Sequence, residues 1–318
     1  MNYGDLIRDT FRITWRNRFL WFFGFFVGGS TGFNVPTSVP SGGGSFDSGD
    51  FQSSSSMVSA LQLGQGLGTG VLIAGIVIVA IIIALFFIFM FLVSQGALAD
   101  SVAAIDRGER RGFGMAFRSG MGNLWRVLGY FIVLFLIAVG LMLVIGLPVA
   151  LLIGGTFAAT QSVGARIAVS VVVGILAVLA LIVVFVPFSV IGQYALREVV
   201  VRGERVLGSV GGGYSIFRRN IGRSLLILLI QFGLSIGIAI ASFLALLIVG
   251  LILFIPTIAL AAAGYSTAAI VAGVVAGVIL LPLLLVATGA IGTFSHAYWT
   301  LAYLRLTAPP AVAPYPAT

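Results

Sequence analysis

The sequence has no cysteine, no lysine and a single histidine, and only 8% of it is charged. The missing cysteines exclude disulfides, thiolate metal sites and cysteine nucleophiles. A lone His296 excludes a multi-histidine metal centre. Acidic residues number nine, and none falls in the middle of an apolar run. That scarcity argues against proton- or sodium-coupled transport and intramembrane proteolysis, which rely on ionisable groups at membrane depth. No catalytic, cofactor or metal site is therefore expected, and the chain reads as a non-enzyme. With arginine as its only strong base, phosphate recognition by forked guanidinium groups is one reading. A coding habit that favours arginine over lysine is the other.

What fills the chain instead is apolar: 60% of residues are hydrophobic, and several uncharged runs exceed the ~20 residues that cross a bilayer. The expected class is an all-α polytopic membrane protein with a single transmembrane domain over 1–306. Its expected spans are approximately 19–33, 70–94, 125–153, 167–192, 224–250 and 268–292. The 19–33 segment is the shortest. No secretory signal peptide is expected, because its bulky aromatic core lacks a small-x-small cleavage site. Residues 30–69 form a Ser/Gly-rich stretch read as an extracytoplasmic loop, a folded binding cap being the alternative. The tail 307–318 reads as disordered and cytoplasmic.

Sixteen of the seventeen basic residues fall on one side of this six-span arrangement, leaving Arg166 alone opposite. The positive-inside rule then puts both termini in the cytoplasm of a bacterial inner membrane. Topology and anionic lipid account for the net charge of +8, with no need of nucleic acid.

Internal repetition organises the rest. Gln95-x-Ala97-Leu98 returns as Gln193-x-Ala195-Leu196, Arg107-Gly-Glu-Arg110 returns as Arg202-Gly-Glu-Arg205, and Asn123 returns as Asn220 before a hydrophobic run. Phe11 to Asn17 and Ser295-His296-Ala297 read as the two halves of a third copy. Three hairpins follow, each preceded by an amphipathic interfacial helix. The expected apolar faces are Tyr3/Ile7/Phe11, Phe113/Phe117/Met121/Leu124 and Val206/Val210/Tyr214/Phe217. Gly108 and Gly203 suit left-handed helix ends. Asn17, Asn123 and Asn220 are expected to cap the backbone N–H groups of the spans they precede. The Gly211-Gly212-Gly213 run reads as a flexible joint, and the fifth span as tilted, protruding or broken near Gln231 to Gly237, with Leu251 to Gly264 as an outer interfacial piece.

This alternation of an Arg-bearing amphipathic helix, an aromatic-x-Asn approach to a span and a Gln-x-Ala-Leu exit resembles the bacterial six-span membrane module also found fused ahead of glycerophosphodiester phosphodiesterase domains. The resemblance implies an uncharacterised integral membrane family with no catalytic motif in the module itself. The acids and histidines of the fused hydrolase are absent, so its activity does not carry over.

Two sets of candidate site residues emerge. Arg107, Arg110, Arg111, Arg118, Arg202, Arg205, Arg218 and Arg219 form an expected cytoplasmic collar that binds anionic lipid headgroups, a membrane-protein partner or a second copy, as a scaffold or accessory subunit would. Gln95, Gln193, Gln231 and His296 are the alternative, a polar path through a permease or channel-like carrier for a lipidic or neutral solute. The two repeat glutamines either converge as a polar ring or are satisfied by neighbouring backbone, and Gln231 reads as interhelical glue. A headgroup-acting enzyme would need His296 beside an acid such as Glu198.

Overall fold

The computed structural model describes residues 2–28 and 67–308. Most of the expected external loop and almost all of the tail lie outside the described residues. In chain order the helices are α1 (Tyr3–Arg16), α2 (Leu20–Val27), α3 (Leu67–Asp106), α4 (Phe113–Gly122), α5 (Leu124–Ala159), α6 (Val163–Val201), α7 (Val206–Arg219), α8 (Ile221–Ala262) and α9 (Ser266–Thr307). No strand occurs among the described residues.

Five helices, α3 from Ala74 onward together with α5, α6, α8 and α9, are long and apolar enough to cross a membrane. That is the make-up of a multi-pass membrane protein. The described part of the 19–33 segment is only the eight-residue α2. The long helices run 36 to 42 residues, roughly 54–63 Å at 1.5 Å per residue against a hydrocarbon core of about 30 Å. They must extend past the bilayer, and their ends can carry a water-facing core. The apolar stretches of α5, α6 and α8 stay exposed, as lipid-facing surface does.

Burial concentrates at one end, where the last turns of α3, α6 and α9 meet α1, α2, α4 and α7. Small side chains make this approach possible: Ala97, Ala195 and Ala297 are each fully buried. The amphipathic helices insert their small residues there. A Cβ on Gly120 would lie 2.3 Å from the Val93 carbonyl oxygen, and one on Gly213 would lie 2.7 Å from that of Ile191. The short α2 is held still more closely against α9, because a Cβ on Gly24 would meet the Gly289 carbonyl oxygen at 2.1 Å. The Gly24/Gly28 pair therefore sits in a tight seam. Gly233 and Gly237 face open space.

Four local features bear on the expectations, of which the last three correct them. First, the innermost residues of the short helices are mostly small or polar, and of the expected interfacial faces only Phe217 is buried. Leu6, Thr10, Ile13 and Thr14 are buried in α1, Ala116 and Gly120 in α4, and Ser209, Gly213 and Phe217 in α7. Phe11, Phe113, Met121 and Tyr214 are exposed, because a seam this close admits small residues and leaves bulky ones outside. Second, the three asparagines do not cap the following spans through their side-chain oxygens. Each Nδ2 donates back to the carbonyl four residues earlier: Asn17 to Ile13 at 3.0 Å, Asn123 to Ser119 at 3.1 Å and Asn220 to Ile216 at 3.2 Å. A helix ends where the next begins, so its last carbonyls compete for the same side chain. Third, Gly211-Gly212-Gly213 is helical within α7, and Gly213 serves close approach. Fourth, of the three readings of the fifth span it is the break that fails: α8 is unbroken from Ile221 to Ala262 and contains Leu251, with Pro256 inside it, and its 42 residues leave tilt or protrusion in place. An uninterrupted apolar run keeps its backbone hydrogen bonds where lipid offers none.

The left-handed glycines are as expected, with φ of +86° at Gly108 and +71° at Gly203. Gly264 turns the α8–α9 hairpin the same way at +83°. After α3, Glu109 N–H reaches Ala104 O at 3.0 Å and Gly108 N–H reaches Ile105 O at 2.9 Å, which satisfies the carbonyls left at the helix end.

The seam predicts a contrast. Gly24→Leu should lower stability by about 1–3 kcal/mol through overpacking, whereas Gly237→Leu should stay within about 0.5 kcal/mol. Thermal unfolding in mild detergent checks both; equal effects would contradict the seam.

Candidate functional site

The four polar-path candidates gather around the last third of α9. His296 Nε2 and Gln95 Oε1 lie 2.8 Å apart in a buried hydrogen bond between α9 and α3. Since Oε1 is an acceptor, Nε2 carries the proton and Nδ1 is left as an acceptor, which has no hydrogen-bond partner among the described residues. One residue earlier, Ser295 Oγ accepts from Gln231 Nε2 at 3.0 Å, joining α8 to α9.

Gln193 is placed by a residue that sequence reasoning left among the cytoplasmic arginines. Arg197 is fully buried. Its guanidinium donates to the Gln193 carbonyl at 2.8 Å and to Gln193 Oε1, to the His296 carbonyl at 3.3 Å, and to Thr300 Oγ1 at 3.4 Å. No carboxylate forms an ion pair with it among the described residues. A buried cation without a counter-ion persists only where neutral oxygens converge on its donors. The spacing held a signal: Arg197 stands four residues after Gln193, on the same helical face. What the sequence could not supply is α9, which brings Thr300 and the His296 carbonyl.

Both repeat glutamines are therefore bound, Gln95 to His296 and Gln193 to Arg197. Each takes a different side-chain partner. Glu198 does not pair with His296. It accepts from Tyr303 Oη at 2.9 Å and from Arg202 at 3.0 Å, and the Arg202 guanidinium also lies over the Tyr303 ring.

The eight collar candidates divide by partner. Arg107 pairs with Glu109, Arg111 with Asp100 and Glu109, and Arg202 with Glu198. The guanidinium of Arg107, hydrogen-bonded to Glu109, holds that carboxyl below its usual range. Arg110, Arg118, Arg205, Arg218 and Arg219 are exposed and make no ion pair among the described residues. These five are the collar charges left for something outside the protein.

Clefts open beside them. One of about 560 Å³ lies between α1 and the end of α3, lined by Arg12, Arg16, Arg110 and Arg111 with Asp106 and Glu109. Another of about 510 Å³ lies along α7, where Arg202 and Arg219 face Glu198 and Glu204. Residues 15–309 match the model of a family described as of unknown function, DUF7544. The chain belongs to the DUF7544 family. No curated protein matches the chain, and no solved structure matches it. The DUF7544 region takes in Gln95, Gln193, Arg197, Gln231 and His296 and the arginines of α4 and α7; it starts near the end of α1, after the buried Leu6, Thr10, Ile13 and Thr14.

The centre predicts coupling between α3 and α9. Gln95→Leu should cost about 1–3 kcal/mol by leaving the His296 N–H unpaired. The further loss on adding His296→Phe should be smaller than the loss from His296→Phe alone. A double-mutant cycle of unfolding in detergent measures this, and simple additivity would contradict the bond.

Proposed function

We propose that the chain is a non-enzymatic membrane scaffold whose arginine-bearing short helices bind anionic lipid at the cytoplasmic face. The observation that carries this reading is the pairing of unpartnered arginines with exposed apolar groups on the same short helices. Arg110 precedes α4, which bears exposed Arg118, Phe113 and Met121. Arg205 precedes α7, which bears exposed Arg218, Arg219 and Tyr214. A helix lying in a membrane interface has that composition: side chains for the acyl boundary beside cations for phosphate.

The architecture in this reading is six spans in three pseudo-repeated hairpins, α2 being the visible part of the first. Support comes from geometry shared by the three copies. Each asparagine makes the same backward bond, and α4 lies against α3, α7 against α6 and α1 against α9. Each short helix therefore covers the last turns of an exit helix, and α1 closes the circuit. The likeness to the six-span module found ahead of phosphodiesterase domains belongs to this proposal and brings no hydrolase activity with it. The carrier reading loses ground because Gln95 bonds His296, Gln193 bonds Arg197 and Gln231 bonds Ser295, which leaves the buried His296 Nδ1 and Gln231 Oε1 as the atoms without a hydrogen-bond partner among the described residues.

Changing Arg110, Arg118, Arg205, Arg218 and Arg219 together to Gln tests the collar. At about 1 kcal/mol for each arginine near an anionic surface, affinity for phosphatidylglycerol vesicles should fall at least about 100-fold, with thermal stability unchanged. Unaltered vesicle binding by a folded variant would overturn the proposal.

A further inference from the structure

A groove of about 540 Å³ runs along α1 where it meets α8 and α9. Its walls are almost wholly apolar: Ile7, Phe11 and Trp15 from α1, Leu234 and Ile238 from α8, and Phe294 from α9. Gly4 through Trp15 spans roughly 16 Å at helical rise, room for much of an extended acyl chain. Two polar groups break the apolar lining. Thr14 is buried, and its Oγ1 has no hydrogen-bond partner among the described residues. Arg8 lines the groove and also lines a second, polar cleft of about 620 Å³.

That second cleft lies at the start of α1 and α8 and the end of α9. It holds Arg8, Arg12, Arg223 and Arg305 against Asp5 and Asp9. Asp9 is committed to Arg12 and Arg305. Arg8 and Arg223 make no ion pair among the described residues, and Asp5 alone faces them with like freedom. The cleft thus carries an excess of positive charge directly beside an apolar trough, and one arginine belongs to both.

We infer that this joined pair of cavities is a discrete binding site for one anionic phospholipid. An acyl chain lies along Ile7, Phe11, Trp15, Leu234, Ile238 and Phe294, and the phosphate sits at Arg8 and Arg223. The occupant follows from the order of the chemistry. Apolar groups line the groove along the membrane-crossing parts of α8 and α9, cations line the end where those helices start and finish, and Arg8 stands at the boundary. A soluble anion would use only the cationic half. A neutral lipid would leave Arg8 and Arg223 unmatched. The site rests on the lipid-binding reading above but uses none of the five collar arginines. It makes α1 a helix that lipid holds against the bundle.

The test is native mass spectrometry of the full chain, delipidated and titrated with phosphatidylglycerol or phosphatidylcholine of matched chains. The wild type should retain one phosphatidylglycerol after the rest dissociate. Ile238→Trp, which fills the trough, should lose that lipid, and Arg8→Gln should cut the phosphatidylglycerol preference roughly fivefold. Arg8 is exposed, so its substitution leaves folding intact should Ile238→Trp not. Brominated phosphatidylglycerol should quench the emission that Trp15→Phe removes. Retention of the lipid by folded Ile238→Trp, or an unchanged preference in Arg8→Gln, would overturn the site. If the five-arginine collar variant loses vesicle binding while the single lipid stays, the collar and the groove are separate and both stand. Were the wild type indifferent to headgroup charge, the groove site would fall, while the collar reading would still be decided by vesicle binding of the five-arginine variant.

Discussion

A buried arginine without a carboxylate sets the terms for this structure. Taking a guanidinium out of water costs several kcal/mol unless its donors are met. Arg197 meets them with the Gln193 side chain and carbonyl, the His296 carbonyl and Thr300. The oxygens belong to two helices, so α6 and α9 have little freedom to slide. His296 then turns its ring to Gln95 on α3. A single chain of hydrogen bonds, Gln193 to Arg197 to His296 to Gln95, ties together three long helices whose outer stretches touch lipid more than one another.

That constraint explains why the core sits at one end. In lipid the apolar side chains of α5, α6 and α8 gain little by meeting each other, so helix association must come from close approach and polar contacts. Both are concentrated where Ala97, Ala195 and Ala297 allow the backbones together and where Gly24, Gly120 and Gly213 bring the short helices in. The arginines excluded from this interior are left on its rim beside exposed aromatic side chains. The collar, in this account, is the outward face of the same helices that seal the core.

Much of the architecture was legible in the sequence. Long uncharged runs marked the five helices long enough to cross a membrane, though not the sixth expected over 19–33, and Gly108 and Gly203 marked helix ends through their positive φ. The Gln95 and Gln193 motifs pointed to the polar centre. What pattern could not convey was partnership across the fold. Phe11, Phe113 and Tyr214 have amphipathic spacing, but a hydrophobic residue at an interface has two apolar places to go, and spacing alone does not say that these stay on the outside. Arg197 looks in sequence like the other arginines of the repeated linkers, and only the approach of Thr300 and His296, about a hundred residues away, makes it interior. Asn123 and Asn220 do stand at the start of the following helices, but their side chains serve the helix that ends there, since both roles fall on one residue where helices abut.

The central claim is that the short helices share one face of the membrane and the hairpin tips share the other. Because the chain has no cysteine, single cysteines introduced at Arg118, Arg218, Thr160 and Ala263 can each be labelled alone with a membrane-impermeant maleimide. The account predicts that Thr160 and Ala263 positions label in intact cells, and that Arg118 and Arg218 positions label only after lysis. Labelling of Arg118 and Arg218 positions from opposite sides would contradict it.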